Sequence, residues 1–254
     1  MEKKTKLVLK IAAGVIAVSL IGGLLFVTNA FVGNPISAML ANRAIKQYVA
    51  ENYSSLDLEV DKAEYNFKYG SYAALAYSKK SVDTKFHIYY RNGKVAYDDY
   101  EPNVVQKINT LNRLADEYSE LAKKIIADEL GYVNNTTMVM YDDEAFEKAP
   151  EILQLDMPFA KTLPLNAKVT IRIELTDKSL EHFASLFTKA HEAFIKNGCQ
   201  FSEYSLYAEH EKEYVMIYGV TPKQIESGKL LFIFEQAARQ DDGYDGVNVV
   251  IREY

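Results

Sequence analysis

From Ile11 to Asn42 the chain carries no charged residue, and the first part of that run, Ile11 to Val27, reads IAAGVIAVSLIGGLLFV. With the flanking Leu7 to Leu9, the apolar stretch reaches the roughly 20 residues a helix needs to cross about 30 Å of hydrocarbon. It reads as a transmembrane anchor over residues 11–30, following a cytoplasmic tail of residues 1–10. Lys3, Lys4, Lys6 and Lys10 precede it against Glu2 alone, and the chain after it is acidic. The positive-inside rule therefore predicts a cytoplasmic N-terminus, with the C-terminal domains extracytoplasmic on a single-pass protein of the cell membrane. A cleaved secretory signal shares the basic start and the apolar segment. Against cleavage, the segment exceeds the 7 to 15 residues usual for a signal core, and Thr28-Asn29-Ala30 puts Thr where a small residue is wanted.

Cys199 is the only cysteine, so a lipoprotein anchor and an intramolecular disulfide are both excluded, and stability must come from packed cores. The formal net charge is −6; the first ten residues hold four Lys and one Glu, so the remainder stands at −9. An acidic surface does not suit nucleic acid. These features fit a bacterial envelope protein, in which the Asn-x-Ser/Thr matches at Asn52, Asn134 and Asn135 are accidental. Tyr is abundant at 19 with no Trp, as strand-rich structure favours.

The expected fold class is α+β, with two domains after the anchor. Asn34 and Pro35 supply an N-cap and an N1 proline, and Ala38, Ala41, Ile45, Tyr48 or Val49, and Asn52 recur at helical spacing. Alternating segments follow, with Asn92-Gly93 as a type I′ hairpin signal. They predict three or four antiparallel strands whose core face takes Phe67, Tyr72, Phe86, Ile88 and Val95. From Asn103 to Leu130, Val104, Ile108, Leu111, Ala115, Tyr118, Ala122 and Ile125 form an amphipathic stripe between Pro102 and Gly131. That stripe suits packing within the chain or a coiled-coil seam between two copies. The first domain is thus placed at 34–131. Residues 132–164 read as a linker with one strand at Met138 to Tyr141.

Residues 165–254 read as a ferredoxin-like βαββαβ domain. Lys168 to Leu175 alternates, Thr176-Asp177 caps a helix to about Asn197-Gly198, and FSEYSLYAEH and EKEYVMIYGV form two strands. Thr221-Pro222-Lys223-Gln224 is a capping box opening helical sequence to about Arg239, and Val247 to Arg252 is a last strand. LLFIFEQAA keeps helical spacing except at Phe232, and a buried strand is its other reading.

The stretches GNPISAMLANRAIKQYVAENY, FKYGSYAALAYSKKSVDTKFHIYYRNGKVAYDDYE, TDKSLEHFASLFTKAHEAFIKNG and YGVTPKQIESGKL resemble the YfjL-like family of membrane-anchored proteins of Gram-positive bacteria. The resemblance covers most of the chain after the anchor. It implies the membrane address and the domain layout, and it brings no activity, cofactor or catalytic residue.

No motif for chemistry stands out. The histidines, at 87, 182, 191 and 210, show no ligand spacing. His191 falls amid the apolar face of Leu180, Ala184, Phe187, Phe194 and Ile195, as a core imidazole satisfied by a strand hydroxyl or carbonyl, or as a functional group with a shifted pKa. Cys199, at a helix exit, lacks the setting of a reactive thiolate. Asp241, Asp245 and Gly246 start like a calcium loop, but Gly243 and Arg252 stand where ligands belong. Asp98-Asp99-Glu101 and Asp142-Asp143-Glu144 are further acidic clusters. No catalytic, cofactor or metal residue is assigned. The reading is a non-catalytic binding or interaction module of the cell envelope, with a sensory or regulatory subunit of a membrane complex, or an anchored hydrolase, as alternatives. In a ferredoxin-like sheet Thr170, Arg172, Glu174, Glu203, Ser205 and Tyr207 point away from the helices. Arg172, Glu174, Glu203 and Tyr207 are the candidate surface for a membrane or envelope protein partner, unless the long helix or the first domain covers them.

Overall fold

The computed structural model describes residues 2–240 and 242–253. The chain divides into two compact units, one ending at Val105 and one beginning at Gln106. Helix α1 (Glu2–Val32) is unbroken, and its apolar span Thr5–Thr28 buries none of its described residues against protein. A helix apolar on all sides and bare of protein suits lipid. Its length and composition fit a single-pass anchor and a signal sequence alike.

The capping predicted for the second helix is present. The Asn34 side chain accepts a hydrogen bond from the Ser37 N–H at 2.7 Å, Pro35 occupies the first turn, and α2 (Pro35–Asn52) buries Ala41, Ile45 and Val49. It packs on an antiparallel sheet of β1 (Leu58–Val60), β2 (Glu64–Asn66), β3 (Ser71–Ser78), β4 (Ser81–Arg91) and β5 (Lys94–Asp98). Strands β1 and β2 share one edge of β3, and the order across the sheet continues through β4 to β5. Asn92 and Gly93 both take positive φ, 53° and 82°, between the paired Arg91 and Lys94, as a type I′ turn requires. Tyr72, Phe86 and Ile88 are core residues, while Val95 is half-buried. Phe67 is a correction: it is 62% exposed. Strand β2 ends at Asn66, whose side chain accepts from the Lys68 N–H at 3.0 Å and starts a turn, so Phe67 lies beyond the ladder.

The long helix also departs from expectation. Residues Glu101–Val105 form a separate π-helical turn, Lys107 takes a left-handed conformation, and α3 (Ile108–Leu130) begins only there. Val104 is buried in the first unit, whereas α3 lies in the second. The boundary drawn after residue 131 is therefore displaced, because Leu111, Leu114, Tyr118, Ala122, Ile125 and Ile126 of α3 all enter the second unit's core. The stripe is thus consumed within the chain.

Strand β6 (Met138–Tyr141) lies where expected. The supposed linker also contains α4 (Asp143–Ile152), capped by the Asp142 side chain, which accepts from the Ala145 N–H at 2.9 Å. There follow β7 (Ala167–Glu174), α5 (Leu180–Lys196), β8 (Glu203–His210), β9 (Glu213–Val220), α6 (Pro222–Glu226), α7 (Leu230–Ala237) and β10 (Asn248–Glu253). The N-cap of α5 is Ser179, not Thr176 or Asp177. The Thr221–Gln224 capping box is formed, but the helix it opens stops at Glu226, and Gly228 (φ 70°) separates it from α7. LLFIFEQA is helical, with Phe232 half-exposed as its off-face position implies.

The second sheet runs β10-β9-β8-β7-β6, with β7 parallel to β8 and the other pairs antiparallel. The fold is α+β as expected, but the strand order is not the ferredoxin-like one. There the two parallel strands of the βαβ are split by an inserted strand; here they are neighbours, and β6 takes the edge beside β7. Every second strand residue, among them Val169, Ile171, Tyr204, Leu206, Val215 and Ile217, joins one core with α3, α5 and α7. These helices of the second unit therefore lie on one side of its sheet.

Candidate interaction surface

Strand side chains alternate between faces, so the residues between those core positions point away from the helices. Register sets them in rows. Arg172 lies beside Tyr207, Tyr207 beside Met216, and Met216 beside Val250. The next row is Glu174, Glu209, Tyr214 and Arg252, and on the other side Met138 pairs with Thr170 and Thr170 with Ser205. Arg172 and Glu174 are exposed, and Thr170, Glu203, Ser205 and Tyr207 are half-buried. All four candidate residues named from the sequence thus stand on the face away from the helices, and α3 packs on the opposite face through Val139 and Tyr141.

The structure joins some of these residues and separates others. The Arg172 guanidinium lies over the Tyr207 ring at 5.5 Å from its centroid, a cation–π geometry. Tyr207 stacks on Tyr214 at 5.9 Å and its hydroxyl donates to Glu209 Oε2 at 2.9 Å. Glu174 sits one row away, 3.4 Å from His210 Nδ1. Glu203 is four residues along β8 from Tyr207, or about 13 Å at the rise of a strand. It pairs with Lys168 at 2.8 Å, and that hydrogen bond raises the lysine's pKa. The face is therefore an aromatic and cationic centre with a charged pair at one end. Sequence reasoning missed Met138, Met140, Tyr214, Met216 and Tyr218. Of these, Met140 is 56% and Tyr218 40% exposed. The alternation of EKEYVMIYGV held the signal, because Val215 and Ile217 face the core and their neighbours must face away.

The other chemical candidates do not converge. His191 is buried, with Nδ1 2.8 Å from the Tyr204 hydroxyl and Nε2 3.2 Å from Glu226 Oε1. A strand hydroxyl satisfies it, and both ring nitrogens are engaged. Burial pushes the Tyr204 phenol up. Cys199 is fully buried, and burial pushes its thiol up, away from thiolate. His182 faces Tyr132 and Asp177. Asp98 accepts from the hydroxyls of Tyr48 at 2.6 Å and Tyr53 at 2.8 Å and from the Tyr100 N–H at 3.0 Å, so this part of an acidic cluster is structural. In the calcium-like segment, Asp241 lies outside the described residues, and Asp245 accepts from Gln224 Nε2 through both its backbone oxygen and its carboxylate.

Comparison with protein families matches residues 8–99 to the YfjL-like N-terminal domain and residues 117–232 to the YfjL-like C-terminal domain. No curated protein and no solved structure matches the chain. The C-terminal match begins inside α3, consistent with that helix belonging to the second unit.

Proposed function

With both of its domains present in order, the chain belongs to the YfjL-like family, and on that premise we propose a non-catalytic binding module, held in the membrane by α1 and displayed on the extracytoplasmic side. The observation that carries this reading is the sheet face centred on Arg172 and Tyr207. Aromatic and Arg residues dominate the energetics of protein contacts, and here they stand together on a sheet face that none of the second unit's helices covers. The partner this chemistry suits is an envelope or membrane protein presenting apolar groups ringed by charges of both signs, since Arg172 stands one row from the exposed Glu174 and Glu209 and the Tyr and Met residues offer the contact area.

Lys3, Lys4, Lys6 and Lys10 before the apolar span support a cytoplasmic N-terminus. The expected result for Arg172→Ala with Tyr207→Ala is weaker recovery of the partner from membranes at nearly unchanged melting temperature. A loss of several degrees with recovery intact would mean the face is an internal seam.

A further inference from the structure

We propose that the β2–β3 turn, Phe67-Lys68-Tyr69, is a second membrane contact, seated in the headgroup layer of the bilayer that α1 crosses. The proposal rests on the anchor reading and extends it to the folded part of the first unit. Residues 11–30 of α1, at 1.5 Å per residue, span about 30 Å, the thickness of the hydrocarbon layer. Phe31 then lies at its outer boundary. The Phe67 ring centroid is 5.7 Å from that of Phe31, so Phe67 stands within about 6 Å of that level. The polar layer on each side of the hydrocarbon is itself about 5 to 7 Å deep, and with residues 11–30 in the hydrocarbon the turn falls at that depth.

The side chains suit that place. Phe31, Phe67 and Tyr69 are all about 60% exposed, and protein covers none of them well. Tyr is enriched at membrane–water interfaces, and Lys carries its charge outward from an apolar stem; the Lys68 Nζ lies 5.7 Å over the Tyr69 ring. In the first turns of α2, Ile36 and Met39 are also exposed, at 68% and 64%.

The joint between anchor and sheet is fixed, so the depth of the turn is set by the fold. The Tyr72 hydroxyl accepts from the Asn34 N–H at 3.0 Å and donates to the Asn34 carbonyl at 3.1 Å. Gly33 takes φ 73°, and a Cβ there would lie 2.5 Å from the Tyr72 hydroxyl and 2.8 Å from the Tyr65 ring. The turn and its closely packed neighbours thus leave no room for a side chain.

The chain has no Trp, so single Trp substitutions in the full chain, reconstituted at high lipid-to-protein ratio, report depth. Lipids brominated near the headgroup or deep in the acyl chain serve as quenchers. Leu20→Trp reads the anchor and Val82→Trp, exposed in the β3–β4 region, reads water. The expected result is blue-shifted emission for Phe67→Trp relative to Val82→Trp, quenched more by shallow than by deep bromine, with the opposite preference for Leu20→Trp. If Leu20→Trp is quenched while Phe67→Trp behaves like Val82→Trp, the anchor stands and the proposal falls. Blue-shifted Phe67→Trp emission that no brominated lipid quenches would place protein rather than lipid over the turn and overturn it as well. If Leu20→Trp itself escapes quenching, the anchor reading fails and the proposal with it.

Discussion

Replacing His191 with Phe should destabilise the second unit through one atom, the Tyr204 hydroxyl. Tyr204 is fully buried and His191 Nδ1, at 2.8 Å, is its hydrogen-bond partner. Phe fills the imidazole's space but offers no partner. An unsatisfied buried hydroxyl costs about 1–3 kcal/mol, and each kcal/mol moves the melting temperature of a domain this size by about 2–4 °C. A loss of about 2–12 °C is expected, and His191→Ala should exceed it by a cavity term. Tyr204→Phe should cost less, because the imidazole keeps Glu226 through Nε2. Once both partners are replaced by apolar rings nothing buried is left wanting a partner there, so the double variant should recover about 1 kcal/mol or more against the sum of the singles. Urea unfolding of the chain from Asn34 onward measures all four variants, through midpoints at constant slope. Strictly additive single effects would refute the pairing. An unchanged midpoint for His191→Phe together with loss of a biological activity would make the imidazole functional rather than structural.

Three further outcomes are expected. A fragment of residues 106–254 should give a cooperative unfolding transition, whereas one cut at residue 132 should not, since it lacks the six α3 side chains that enter the core; circular dichroism with heating separates the two. Alkaline unfolding should begin near pH 10. Burial holds Tyr141 up at about 12 and raises Tyr204; the hydrogen bond to Asp98 with burial raises Tyr48, and burial with the hydrogen bond to Asp98 raises Tyr53. The unfolded chain therefore loses phenolic protons first, near pH 10, and stability present below that pH drains away above it. Spectrophotometric titration should show a late-ionising subset of tyrosines, and uniform ionisation near pH 10 without unfolding would contradict this. Membranes extracted at alkaline pH should retain a product of full-length mass, and release of a species starting near Phe31 would mark a cleaved signal instead.

Local signals were legible, and long-range ones were not. Asn34-Pro35, Asn92-Gly93 and Thr221 with Gln224 each fix a few neighbouring dihedrals, and all three form as their residue types demand. The start of α3 was hidden because Lys107, a residue with no preference for positive φ, takes the left-handed conformation that ends one segment and begins the next. Helix α4 was hidden by Pro150, which removes a hydrogen bond from a helix only ten residues long. Strand order could not be read, because alternation says which residues share a face but not which strand lies alongside. The pairing of β10 with β9 and of β6 with β7 depends on the whole sheet. Which residues share the face away from the helices did not depend on strand order, because Arg172, Glu174, Glu203 and Tyr207 are placed there by alternation alone, whichever strands are neighbours.

A photo-crosslinking residue in place of Ser205, at the centre of that face, tests the proposed binding surface most directly, with the exposed Glu192 on α5 as the control position. In intact membranes the account predicts that Ser205 yields a discrete adduct with another envelope or membrane protein, that Glu192 does not, and that Arg172→Ala with Tyr207→Ala abolishes the adduct while melting temperature holds. Adducts from Ser205 confined to residues of its own chain would contradict it.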